Sequence, residues 1–122
     1  MALKKKLFIA IPIVLIVTLI LVAAAFMHNK AFRVARIIEA ENENYLWVTE
    51  DEGPTLIIEK WLCDLSDVNT GDKVLLLCDS AVLLSYPGQN TVYYCKKLEA
   101  GTREDIPQVH IQGLEELDWK IK

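Results

Sequence analysis

Cysteine, histidine, serine and paired acidic residues are the side chains here whose types could do chemistry. Cys63, Cys78 and Cys95 are spaced by 15 and 17 residues, and His110 follows 15 further on. Thiolates and imidazole are zinc ligands, but closed zinc sites are usually built from short C-x-x-C pairs that bring two ligands to one metal from a single turn. No such pair occurs, so no metal site is assigned. Two readings of the thiols remain: buried free cysteines acting as small apolar residues, or, outside the cytoplasm, one disulfide with an odd thiol left over. Cys78 with Cys95 is the expected pair, because their strands are expected to be neighbours.

Nucleophilic and acid–base chemistry is poorly served. A Ser-His-Asp constellation needs Ser80 or Ser85 with His28 or His110, yet His28 stands at the end of an apolar run and no G-x-S-x-G elbow exists. Glu104-Asp105 and Glu115-Glu116 are adjacent carboxylates in polar, turn-rich stretches, where solvation explains them better than general acid/base work. No glycine-rich phosphate loop is present. The expectation is a protein with no catalytic residues and no cofactor.

Recognition is better served. Tyr86, Gln89, Tyr93 and Tyr94, within and after the segment SYPGQN, combine flat apolar area with hydrogen-bonding tips and form the candidate binding patch. The plainer reading is a type II turn, Tyr86-Pro87-Gly88-Gln89, that reverses the chain between two core strands while Tyr86 covers the barrel's end. Trp47, Trp61 and Trp119 read as core or rim residues, with carbohydrate stacking on Trp61 or Trp119 as the alternative.

These residues must be positioned by the elements around them. Residues 7–27 carry no charge and are interrupted only by Pro12 and Thr18. A helix needs about 20 apolar residues to cross a hydrocarbon core, and inside that core it satisfies its own backbone. Residues 1–29 therefore read as a transmembrane anchor, with Pro12 in the first turns where a missing N–H costs little. The competing reading is a cleaved signal, with Lys4-Lys5-Lys6 as its basic region and Ala23-Ala24-Ala25 as its cleavage site, which would leave a secreted protein. The apolar run exceeds the roughly 7–15 residues of a signal core, which favours the anchor. Flanking charge nearly ties, Lys4, Lys5 and Lys6 against Lys30, Arg33 and Arg36, and the short N-terminal stub tips the expectation toward an extracytoplasmic C-terminal domain.

Setting the three N-terminal lysines aside leaves 10 basic against 17 acidic residues, a formal charge of −7 for residues 28–122. Phosphate backbones would be repelled, so nucleic acid is not an expected partner. The expected partners are the lipid bilayer and a protein in or at the membrane.

Residues 30–99 read as one small domain. Alternation in FRVARIIEA (32–40), the aromatic and β-branched YLWVTE (45–50), TLIIEKWL (55–62), KVLLLC (73–78) and TVYYCKKL (91–98) predict five strands, punctuated by Asn, Asp, Gly and Pro turns. The run KVLLLC predicts a strand buried on both faces. Five short strands are best closed into a small barrel of the oligonucleotide/oligosaccharide-binding (OB) type, which leaves no edges to aggregate, so the fold class is all-β with one N-terminal helix. Residues 100–122 form a C-terminal extension in which LEELDWKI (114–121) is either a short amphipathic helix or a last strand.

Three segments in this order, Ala35-Arg36-Ile37-Ile38-Glu39, Thr70-Gly71-Asp72-Lys73-Val74 and Ser85-Tyr86-Pro87-Gly88-Gln89, resemble a bacterial family of small exported or membrane-anchored proteins with an OB-like barrel domain. That resemblance covers about residues 33–98 and implies no established activity. The expected function is a membrane-anchored, extracytoplasmic, non-enzymatic binding module; the alternative is a structural accessory subunit of a membrane complex, which a small-residue stripe on the helix would favour and of which Ala10, Ala23, Ala24 and Ala25 offer only a part.

Overall fold

The apolar run winds into a single helix, α1 (Ala2–Met27). Its segment Lys4–Met27 has a mean hydropathy of 3.1, and the helix is long and apolar enough to cross a bilayer. Because the helix begins at Ala2, Pro12 sits in its interior rather than its first turns and has no N–H to give the carbonyl of Phe8. Thr18 donates back to the carbonyl of Val14 at 2.8 Å, as hydroxyls do inside apolar helices. The computed structural model describes residues 2–83 and 85–122; Met1 and Leu84 lie outside the described residues. The chain divides into two compact units, Met1–Lys30 and Ala31–Lys122.

The second unit is built on five strands: β1 (Lys30–Glu39), β2 (Tyr45–Val48), β3 (Thr55–Ile58), β4 (Lys73–Asp79) and β5 (Gly88–Glu99). They close into a barrel in the order β1-β2-β3-β5-β4. Short polar turns make β1–β2 and β2–β3 antiparallel hairpins, and β4 pairs antiparallel with β5. β3 and β5, far apart in sequence, pair in parallel from Thr55↔Gly88 to Ile58↔Thr91. Inward positions alternate along each strand and give an inner core of Ala35, Ile37, Trp47, Ile57, Val74, Leu76, Cys78 and Val92, joined by Leu65 and Val68 from the β3–β4 connection.

The chain is not all-β. Helix α2 (Gln108–Glu116) follows the barrel, and Ile121 then bridges Ala40 of the first hairpin. The C-terminal segment is thus first a helix and then an extended bridge. Its apolar side chains Ile106, Ile111, Leu114 and Ile121 form a second core with Ile38, Ala40, Leu46 and Val48, on the outer side of the first hairpin. Arg103 fastens this layer by pairing with Glu115 and donating to the carbonyl of Ile121 at 3.2 Å. Thr102 opens the preceding 3-10 turn, its N–H bonded to the Asp105 carboxylate at 2.8 Å in a reciprocal capping box.

Three local expectations are corrected. TLIIEKWL is not one strand: β3 stops at Ile58, Glu59 takes a left-handed conformation (φ 55°), and a 3-10 turn spans Lys60–Leu62. β4 is not buried on both faces, since Val74, Leu76 and Cys78 are buried while Leu75 and Leu77 are partly open. The Tyr86–Gln89 type II turn is not formed; the Tyr86–Pro87 peptide is cis, and Gly88 lacks the positive φ a type II turn requires. Gly88 instead starts β5, its N–H bonded to the carbonyl of Pro54 at 3.0 Å.

Candidate functional site

The four candidate binding residues do not converge on one patch. Tyr93 turns its hydroxyl to Asp79 Oδ1 at 2.7 Å, and that bond, with burial, pushes the phenol up to about 12. Tyr94 points outward opposite Leu77, 49 % exposed. The separation follows from an irregularity in the β4–β5 ladder between Leu77 and Cys78, where Leu77 pairs with Tyr94 but Cys78 with Val92, leaving Tyr93 as the extra residue. Gln89 is exposed and backbone-paired with Leu83.

Tyr86 lies against α2. A methyl group on Gly113 would come within 2.3 Å of the Tyr86 hydroxyl, so the helix makes room for the ring there. Only the far end of a half-exposed side chain is in the way. Gly113→Ala is therefore expected to shift stability by less than about 1 kcal/mol, helix propensity offsetting the contact, while the Tyr86 ring moves off α2. Thermal unfolding with ring-proton NMR would check this; a loss of several kcal/mol would mean Tyr86 is held rigidly.

The thiols are free. Cys95 stands opposite Leu76, and Cys78 opposite Val92, so neighbouring strands do not make Cys78 and Cys95 a cross-strand pair. Burial is the main cause that pushes all three up; Cys95 reaches about 12 with further help from Cys63 and Asp67 nearby. Thiols held so high are poor nucleophiles at neutral pH. His110 stands on α2, whose buried residues belong to the outer core, whereas the cysteines pack with the inner one. Among the described residues no group of three His, Cys, Asp or Glu could hold a metal. Ser85 spends its hydroxyl on the carbonyl of Pro87 at 2.8 Å.

Trp47 is fully buried, Trp119 packs on the outer core, and Trp61 stands out on its 3-10 turn, 80 % exposed. None of the three shares a cage with another in these packing groups.

Sequence reasoning missed Arg33. Its guanidinium donates to Glu52 Oε1 at 2.9 Å, Cys78 Sγ at 2.9 Å, the carbonyl of Asp79 at 2.8 Å and that of Ser80 at 2.8 Å, and it lies 5.2 Å from the centroid of the Trp47 ring. Arg33 thereby ties β1 to the β2–β3 turn and to the end of β4. Asn90 supports the same end, donating to the carbonyls of Asp79 and Ala81 at 3.0 Å each.

A groove of about 530 Å³ opens beside this brace. The β1–β2 ladder runs only between Arg36↔Val48 and Glu39↔Tyr45, and past it the two chains part. It is lined by Val34, Ala35 and Arg36 of β1, by Val48 and the following Thr49, Glu50 and Asp51, and by Lys73, Asp105 and Pro107. Arg36 is fixed by donating to the carbonyl of Gly71 at 2.9 Å. The lining carries both signs of charge beside the apolar Val34, Ala35, Val48 and Pro107. Such a surface suits a polypeptide segment with side chains of both signs better than a phosphate chain.

No protein-family model, curated protein or solved structure matches this chain.

Proposed function

We propose that this protein is a membrane-anchored, non-enzymatic binding module, with α1 crossing the bilayer and the barrel presenting its groove to a protein partner outside the cytoplasm. The observation that carries the reading is the groove beside β1 and the Thr49–Asp51 segment, open to solvent and lined by Arg36 and Lys73 together with Glu50, Asp51 and Asp105. An extended segment laid there would find β1 backbone beyond the β2 ladder, apolar contact at Val34, and charge partners of both signs. The OB-like assignment, and kinship with the small exported bacterial proteins of the same pattern, belong to this proposal, supported by the closed five-stranded ring.

The test places a photoreactive residue at Glu50 of the full-length protein in native membranes, with the same group at Glu116 on α2 as the control. The reading expects a discrete protein adduct at position 50 that falls about tenfold in Asp51→Lys, the loss of roughly one charge-assisted contact. Equal labelling from both positions would sink it. An adduct from 50 that persists when Arg36 and Asp51 are both neutralised would favour the accessory-subunit role, in which the groove is not the contact.

A further inference from the structure

The barrel's outer surface is apolar on two sides, and only one is covered. Over the first hairpin, Ile38, Leu46 and Val48 are sealed by α2 and the C-terminal bridge. On the other side the outward positions of β4 and β5 are Leu75 and Leu77, with Leu77 opposite Tyr94 and Leu75 opposite Lys96. β1 runs antiparallel to β4, with the Ile37 N–H bonded to the carbonyl of Asp72 and Cys78 Sγ beside the carbonyl of Ala31. Strand alternation then sets Phe32 and Val34 alongside Leu77 and Leu75. Phe32 is 60 % and Val34 50 % exposed. Five apolar side chains thus make a stripe across three strands.

Two observations select what covers it. The outward charged residues beside the stripe are Arg36, Lys73 and Lys96, with Glu99 opposite Lys73 at one end and Asp79, whose carboxylate is held by the Tyr93 hydroxyl, at the other, in a unit that is otherwise strongly acidic. A basic fringe around aromatic and aliphatic side chains is complementary to anionic lipid head groups over the acyl boundary. The second is covalent reach. α1 ends at Met27 and Phe32 follows five residues later, so whatever the angle between the two units the chain holds Phe32 within about 18 Å of the helix end.

We propose that the outer face of β1, β4 and β5 rests on the anionic head-group layer of the bilayer, with Phe32, Val34, Leu75, Leu77 and Tyr94 toward the acyl boundary and Lys73 and Lys96 on phosphates. This rests on the reading of α1 as a membrane anchor. Val34, Arg36 and Lys73 also line the groove, so docking on lipid and filling of the groove by a partner compete for these residues.

The experiment replaces Tyr94 with a photoreactive phenylalanine analogue in the full-length protein, reconstituted in phosphatidylcholine vesicles with and without phosphatidylserine. Intact mass after irradiation identifies the adduct. Expected are single-lipid adducts, favoured by phosphatidylserine and reduced about fivefold by each of Lys73→Ala and Lys96→Ala, the effect of one basic residue at an anionic leaflet. Adducts of twice the chain mass would overturn the proposal in favour of a second copy on this face. Absent lipid adducts, or adducts indifferent to phosphatidylserine, would also overturn it. Release of the protein by alkaline carbonate would overturn the anchor reading and this proposal together, whereas retention without lipid adducts would overturn this proposal alone.

Discussion

Gly71→Ala is expected to remove about 3–5 kcal/mol from the barrel unit, the sum of a residue forced to positive φ and a clash in a packed crossing. Gly71 has φ 95°, a region that side chains with a Cβ rarely enter. A methyl group there would stand 1.9 Å from the carbonyl oxygen of Thr102, which is backbone and cannot swing aside. Gly101 faces the same crossing from the other chain, its own methyl position 2.1 Å from the carbonyl oxygen of Gly71. The two glycines let the turn before β4 touch the segment that leaves β5. Urea unfolding followed by Trp47 fluorescence should show the midpoint collapse, while Gly53→Ala, with nothing within 4 Å, should leave it in place. A wild-type midpoint in Gly71→Ala would show that the crossing can open without cost.

Asp72, the next residue, is expected to be nearly as sensitive and to carry a pH signature. Its side chain is 2 % exposed, and it accepts from the Gly101 N–H at 2.9 Å, from the Asn69 N–H at 2.9 Å, and from Lys97 Nζ at 3.0 Å. Burial pushes this carboxyl up, but the two backbone hydrogen bonds and Lys97 outweigh it and hold the group below its ordinary value. A carboxylate with a depressed folded pKa stabilises the fold fully above its unfolded value of about 3.9, and that contribution is lost as pH falls through the lower folded value. Asp72→Ala leaves two partly buried N–H groups and a half-exposed ammonium without their acceptor and should cost about 2–4 kcal/mol at neutral pH. The gap between wild type and variant should narrow as pH drops below about 4. A gap that stayed constant down to about pH 2 would mean that Asp72 acts through packing and not through its charge.

Both predictions fall on the segment Thr70-Gly71-Asp72, which looks in the sequence like an ordinary strand opening. Its Gly-Asp pair reads as turn chemistry, and so it is; that the same two residues also clasp residues 101 and 102 depends on a chain segment thirty residues away. The candidate site behaves likewise. Tyr93 and Tyr94 are adjacent and chemically alike, yet one is bonded to Asp79 and the other faces outward, because a register shift in the β4–β5 ladder decides which side each takes. Arg33 carried no mark to set it apart from Lys30 and Arg36 in the same segment, since its partners come from residues 52 and 78–80.

By itself, the sequence determined what short-range chemistry can determine. An unbroken apolar run of helical length gives α1, and β-branched and aromatic runs between Asn, Asp, Gly and Pro turns give five strands near their expected places. Two-residue periodicity also settles that side chains alternate between faces. It does not settle which face is covered. The closure of the barrel, the parallel β3–β5 pairing, the sealing of one outer face by the C-terminal segment and the exposure of the other were decided only in the tertiary structure. The physical reason is that burial belongs to a pair of surfaces, and the second surface of each pair is supplied by residues distant in the chain.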